Sequence, residues 1–346
     1  MMAYQVTLNP SGHTFSADEG TLLLEAALNQ GVGLPYGCKS GVCGSCKGKV
    51  VAGEVSHGNA DLHALTADER AQGLTLLCCA TAHSDLTIEI REIAGASDYP
   101  VKIMPARVHS MTTAAPEVMI LQLKLPASDK LRFRPGQYVE ILLKDGQRRS
   151  FSIANAPEDE EFLELHVRRV AGGQFTEQVF SSMKPRDILR LEGPLGSFFL
   201  QEDSAAPIIF LAGGTGFAPI KAIVEHAIKN DMTRPMHLYW GANSPDGLYL
   251  DALARSWAAQ HANFRYTPVV AADPAPAGWT GRTGLVHHAL MADYADLSKH
   301  QVYACGGPAM IDAARVDLLG LRALPADAFF ADAFTFATAP AKGIAP

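Results

Sequence analysis

Five of the six cysteines lie in the first quarter of the 346-residue chain, and Cys305 stands alone far downstream. The spacing Cys38-x4-Cys43-x2-Cys46, followed after 31 residues by Cys78, is that of a plant-type [2Fe–2S] cluster. Three thiolates must wrap one edge of such a cluster from a single loop, and a fourth must come from elsewhere. Gly37, Gly41, Gly44 and Gly48 interleave with them, letting backbone approach closely and aim N–H groups at sulfur. The competing reading is a structural zinc, but zinc sites usually come as paired CxxC knuckles and only one short pair is present. Cys78 and Cys79 are adjacent, and alternation along an extended segment lets only one of them face the cluster.

Further along, Arg134-Pro135-Gly136-Gln137-Tyr138 precedes Arg149-Ser150-Phe151-Ser152. Gly172-Gly173-x-x-Thr176 and Gly193-Pro194-x-Gly196-x-Phe198 follow. Each alone is ordinary, since glycine pairs make turns and a strand arginine faces solvent. Gly213-Gly214-Thr215-Gly216-Phe217-Ala218-Pro219 then follows an apolar strand and opens a helix, where a glycine-rich turn can cradle a pyrophosphate. It is not the G-x-G-x-x-G fingerprint of a generic dehydrogenase. Cys305-Gly306-Gly307-Pro308-Ala309-Met310 also follows a strand. Taken alone, Cys305 would read as an inert core thiol.

In this order, the motifs resemble the ferredoxin–NADP reductase superfamily, and specifically bacterial ferredoxin-type reductases arranged as cluster, FAD and NAD. The resemblance covers residues 4–336. It includes reductase components of aromatic-ring and multicomponent oxygenases. It also includes reductases of deoxysugar dehydration, which share the doubled Cys78-Cys79 and a Phe-x-x-Asp-Ala-Phe ending like Phe329 to Phe334. It implies Cys78 as the fourth ligand, with Cys79 a bystander. It implies FAD, with Arg149 on the diphosphate beside a helix N-terminus at Gly172, Gly173 and Thr176. Ser150 belongs to the same strand motif, Phe151 stacks on the isoalloxazine and Ser152 meets its N5. His166, Val167, Arg168 and Phe198 would cover the adenylate half. The family more often has Tyr where this chain has Phe151. The nucleotide would lie on Gly213, Gly214, Thr215 and Gly216 and on Gly306, Pro308 and Met310, with Cys305 beside the nicotinamide. Phe334 would stack near the flavin or fill core. NADH is preferred over NADPH, because Trp240 to Asp246 carries no Arg or Lys to meet a 2′-phosphate.

Three units must position these residues. Residues 1–96 open with the alternating Tyr4 to Leu8 and continue through a helix from Leu22 to Asn29, with Thr21 as its cap. A capping box at Thr66-x-x-Glu69 and a strand over Leu86 to Ile90 follow, which fits the β-grasp ferredoxin domain implied by the resemblance. Residues 101–203 are rich in short β runs and read as an antiparallel β-barrel FAD domain. Residues 206–336 alternate apolar strands with helices, a parallel-sheet α/β nucleotide domain. Ser97 to Pro100 is a linker and 337–346 a disordered Ala/Pro-rich tail.

Net charge is −7, which argues against nucleic acid and anionic membranes. No basic-then-apolar opening is present, and the uncharged run from Ala205 to Ile220 is short and broken by Gly and Pro. A cytoplasmic monomer is expected. Hydride carries two electrons and the cluster accepts one, so flavin must stand between them. The expected activity is an NADH-dependent reductase passing single electrons to a partner protein, an oxygenase or dehydrase component. The alternatives are a stand-alone flavin reductase and a non-catalytic redox sensor.

Overall fold

The computed structural model describes residues 2–93, 99–272, 274 and 277–334. Ser97 and Asp98 of the expected linker, and the expected tail 337–346, lie outside the described residues.

The first unit contains β1 (Ala3–Asn9), β2 (Thr14–Asp18), α1 (Leu23–Asn29), β3 (Lys47–Ala52), β4 (Val55–Ser56), α2 (Ala67–Ala71), β5 (Leu74–Leu76), β6 (Thr81–Ala82) and β7 (Leu86–Glu89). Its mixed sheet runs β2-β1-β7-β3-β5, with β1 and β7 parallel. The alternation of Val6 and Leu8 buries both against Leu23, Ala27 and Ile88. Thr21 does not cap α1. The N-cap is Leu22, with no side-chain hydrogen bond, because Leu22 is held by a bridge to Thr81 and its neighbour Leu23 donates to the Ala80 carbonyl. The capping box on α2 is present: Thr66 accepts from the Glu69 N–H at 3.2 Å, and Glu69 accepts from the Thr66 N–H at 2.9 Å.

The second unit has β8 (Lys102–Ala115), β9 (Val118–Lys124), β10 (Tyr138–Leu142), β11 (Arg148–Ser152), β12 (Leu163–Arg168), α3 (Gln174–Ser181) and β13 (Ile188–Leu195). The antiparallel order is β11-β10-β13-β8-β9-β12, and a bridge between Ile153 and Leu165 joins its two edges into a barrel. Inward-facing Val139, Ile141, Leu165, Val167 and Leu191 fill the interior.

The third unit comprises β14 (Ile208–Gly213), α4 (Phe217–Lys229), β15 (Met236–Ala242), α5 (Asp251–Gln260), β16 (Phe264–Val270), β17 (Arg282–Thr283), α6 (Val286–Asp293), β18 (Gln301–Gly306), α7 (Pro308–Leu321) and β19 (Phe329–Ala333). All pairings in the sheet β17-β16-β15-β14-β18-β19 are parallel. Helices cover both faces, so β14 is apolar at every position from Ile208 to Ala212. Phe210 packs into one core, and Ile209 and Leu211 into the other. The strand order reverses at β14, between β15 and β18, and the crevice beyond those carboxyl ends is where such sheets take ligands. Among the described residues, no helix is long and apolar enough to cross a membrane.

Candidate functional site

Two pairs of thiols converge where the loop after α1 meets the segment after β5. Cys38 accepts from Ser40 N–H at 3.4 Å, and Cys43 accepts from Cys38 N–H at 3.5 Å. The Cys43 thiol holds Cys38 as a thiolate, its pKa lowered to about 4, with Ser40 assisting. Cys43 rises in return, and Cys78 is pushed up by hydrogen bonding to Cys46 and by burial. Cys38 thus associates with Cys43 and Cys46 with Cys78, a disposition that would suit the two irons of a two-iron cluster. All four are free thiols. Among the described residues, the cysteines form no group of three sulfurs within 4.8 Å of one another. A single zinc would draw four sulfurs to about 3.8 Å separations, so the wider cage fits the two-iron cluster and not zinc. Cys79 Sγ lies 3.7 Å from Cys78 Sγ, on the side of Gly41. Its sulfur occupies the space where a Cβ on Gly41 would sit, at 2.5 Å, which explains a glycine there at φ +80°.

The residues before Cys38 are clasped by the barrel. Ser197 N–H and Oγ both donate to the Tyr36 carbonyl, at 3.0 and 2.9 Å, and Tyr36 N–H donates to Ser197 Oγ at 2.8 Å. Tyr138 Oη donates to the Gly37 carbonyl at 2.7 Å. The nucleotide unit adds Asp332, whose Oδ1 lies 3.6 Å from the position of a Gly37 Cβ. Sequence reasoning assigned no role to Tyr138, Ser197 or Asp332.

All three units enclose one cleft of 620 Å³. Cys38 lies on its wall with Arg149, Ser150, Phe151, Ser152, His166, Arg168, Gly172, Gly173, Thr176, Thr215 and Phe334. Phe151 stands 5.2 Å from the Phe175 ring, offering an apolar face. The first-turn N–H groups of α3 have no partners within the helix, and Arg149 and Arg168 bring positive charge to the same cleft. This donor set fits a flavin diphosphate. Arg168 also reaches toward the nucleotide turn, its Nη1 3.9 Å from where a Gly214 Cβ would stand.

Several expected residues sit elsewhere. The Val167 side chain points into the barrel core. Phe198 packs in the nucleotide unit's core, edge-on to Tyr303. His166 lines the cleft, but both ring nitrogens are engaged, Nδ1 with Tyr249 Oη at 2.8 Å and Nε2 with Glu164 at 3.1 Å. Its neighbour Lys221 donates to the Ala154 carbonyl at 3.1 Å and pairs with Glu164 and Glu225. This buried cluster joins barrel to nucleotide unit through the His166 ring.

The two glycine-rich turns pack on each other. A Cβ on Gly216 would overlap the Cys305 carbonyl, one on Gly213 would stand 2.7 Å from Met310 Sδ, and one on Gly306 2.9 Å from Met310 Cε. Trp240 Nε1 donates to the Gly214 carbonyl at 2.9 Å and stacks on Phe217 at 3.9 Å, bracing the turn from below. Pro308 occupies the first turn of α7. Cys305 is 0% exposed and does not line the cleft, and burial raises its thiol well above the ordinary value. Phe334 lines the cleft and packs against the core cluster that contains Cys305. Its N–H donates to the Gly306 carbonyl at 2.8 Å.

Fold and cleft together define an oxidoreductase with one iron–sulfur, one flavin and one nicotinamide-nucleotide site. Three family models agree: the 2Fe-2S iron-sulfur cluster binding domain over 6–83, the oxidoreductase FAD-binding domain over 105–200 and the oxidoreductase NAD-binding domain over 210–316. The chain is 43% identical over 333 residues to the CDP-6-deoxy-L-threo-D-glycero-4-hexulose-3-dehydrase reductase of Yersinia pseudotuberculosis, covering 96% of this chain and 99% of the relative. It is 37% identical to reductase component 2 of terephthalate 1,2-dioxygenase from Comamonas sp, covering 98% and 99%. The solved structure of the Amycolatopsis cytochrome P450 reductase GcoB superposes with a TM-score of 0.77 at 33% identity, covering 97% of this chain and 100% of that one. This chain belongs to the ferredoxin-type reductases that combine a [2Fe–2S] cluster, FAD and NAD(H) in one polypeptide.

Proposed function

We propose that the chain oxidises NADH at the crevice beyond β14 and β18 and delivers single electrons, from the loop carrying Cys38, to a separate dehydrase or oxygenase component. The observation that carries this is the shared cleft, whose wall includes Cys38, Phe151, Ser152, Thr215 and Phe334. The bound flavin and cluster supply the conversion of a two-electron donor into single-electron steps, and the protein supplies binding and orientation. Arg149 and the α3 N-terminus hold the diphosphate, Phe151 lies against the ring system and Ser152 offers a hydroxyl to it. Cys38, Cys43, Cys46 and Cys78 hold the irons. Gly213 to Gly216 takes the nucleotide pyrophosphate. Exposed Asp246, in the turn Pro245–Gly247 that follows β15 and within a stretch without Arg or Lys, favours NADH, since a 2′-phosphate there would meet an acid. The units divide as 1–96, 101–203 and 206–336. Likeness to the dehydrase reductase over nearly its whole length makes a sugar dehydrase the first partner to try.

Cys43→Ser tests the route. Reduction of cytochrome c by NADH should be lost while reduction of ferricyanide, which draws on the flavin, is retained. Equal survival of both activities would take the cluster off the path.

A further inference from the structure

We infer that His287, His288 and Asp317 form a binding site for a divalent cation of the zinc class, on the outer helices of the nucleotide-binding sheet and away from the cofactor cleft. The two histidines stand in the first turn of α6, and Asp317 stands on α7. Among the described residues, theirs is the group of His, Cys, Asp and Glu ligand atoms that all lie within 4.8 Å of one another.

The distances favour coordination over hydrogen bonding. Both imidazoles aim Nε2 at one carboxylate oxygen, Asp317 Oδ2, from 3.3 Å for His287 and 3.8 Å for His288. A hydrogen bond between such atoms prefers about 2.9 Å. Zinc bonds of about 2.0–2.1 Å in a tetrahedron place neighbouring ligand atoms about 3.3–3.4 Å apart. The two imidazole–carboxylate separations therefore lie nearer to those of a coordination shell than to a hydrogen bond, and an ion among the three would draw them together.

The surroundings supply one fixed ligand and one adjustable one. His287 is 2% exposed, and its ring meets His288 at a centroid distance of 4.4 Å. Nε2 is thus the ring atom that faces a partner, since Nδ1 is buried without one. The His288 side chain is 60% exposed and can swing onto an arriving ion. Two imidazoles and a carboxylate suit zinc, cobalt or nickel better than magnesium or calcium. Three protein ligands leave a fourth position for water on the solvent side. A bound ion would tie α6 to α7, the helices on either side of β18 in sequence.

Calorimetric titration of the intact flavin- and cluster-loaded chain with zinc chloride tests the site, with iron content measured before and after so that displacement at the cysteines is recognised. One zinc per chain is expected, with no loss of iron. His288→Ala and Asp317→Asn should each weaken binding by about tenfold or more, and NADH–ferricyanide activity should stay unchanged in both as a check on folding. Absence of binding by the wild-type chain, or binding undiminished in both variants, would overturn the assignment.

Discussion

Replacing Gly216 by alanine probes how closely the two glycine-rich turns pack. Gly216 is the N-cap of α4, with φ −58° and ψ −11°, a conformation open to any residue, so no backbone strain opposes alanine and no helix-interior gain favours it. The added Cβ, however, would overlap the Cys305 carbonyl oxygen. It would lie 2.5 Å from the carbonyl carbon and 2.9 Å from the Gly306 nitrogen. These are backbone atoms of β18, which is paired with β14 on one side and β19 on the other, so they have nowhere to move. Overpacking costs about 1–3 kcal/mol, and a clash with fixed backbone belongs at the upper end. The loss is about 2–3 kcal/mol, a fall in Tm of roughly 4–12 °C for a unit of this size. The KM for NADH should rise as the Gly213–Thr215 turn is pushed outward. Gly320→Ala is the matched control. It lies exposed in α7 with nothing within 4 Å of its would-be Cβ, and should gain about 0.5–1 kcal/mol. Both variants are read by calorimetry and by NADH saturation kinetics. A Gly216→Ala protein that melts at or above the wild-type temperature would refute the reasoning.

Arg149→Ala removes a charged donor from the cleft and should weaken FAD binding by about ten- to a hundredfold, the equivalent of about 1.5–3 kcal/mol. Gel filtration followed by flavin fluorescence of the protein fraction measures it, and full flavin retention would count against the assignment. Burial pushes His237 down to about 4, whereas an unfolded histidine titrates near 6.5. As pH falls, the unfolded chain takes up this proton first, so stability should decline from about pH 6.5 toward pH 4. His237→Asn should flatten that decline in urea titrations run across the range, and an unchanged slope would show that other groups set it.

The cluster was legible because its information is local. Cys38, Cys43 and Cys46 lie in one loop whose spacing is dictated by iron–sulfur geometry. The alternation in β1 and the continuous apolar run of β14 announced a half-buried and a doubly covered strand for the same reason. What stayed hidden depends on contacts between distant segments. The glycines at 213, 216 and 306 read as a phosphate cradle, yet their lack of side chains is also demanded by the approach of one turn to the other. The resemblance implied Cys305 beside the nicotinamide, and the fold turns its thiol into the core. His166 sits on a strand facing the cleft, and only the fold reveals Tyr249 and Glu164 occupying its nitrogens. Thr21 had the right chemistry for a cap, and was displaced by one residue when Leu22 was drawn into a bridge with Thr81.

Gly37, Cys38, Ser40 and Val42 form part of the same wall as residues 332–334, although nearly the whole polypeptide separates them. Since a protein is synthesised from its amino end, the ferredoxin unit can acquire its own core long before that wall exists. The cleft is complete only once β19 has docked beside Gly37, which makes it one of the last features of the molecule to form.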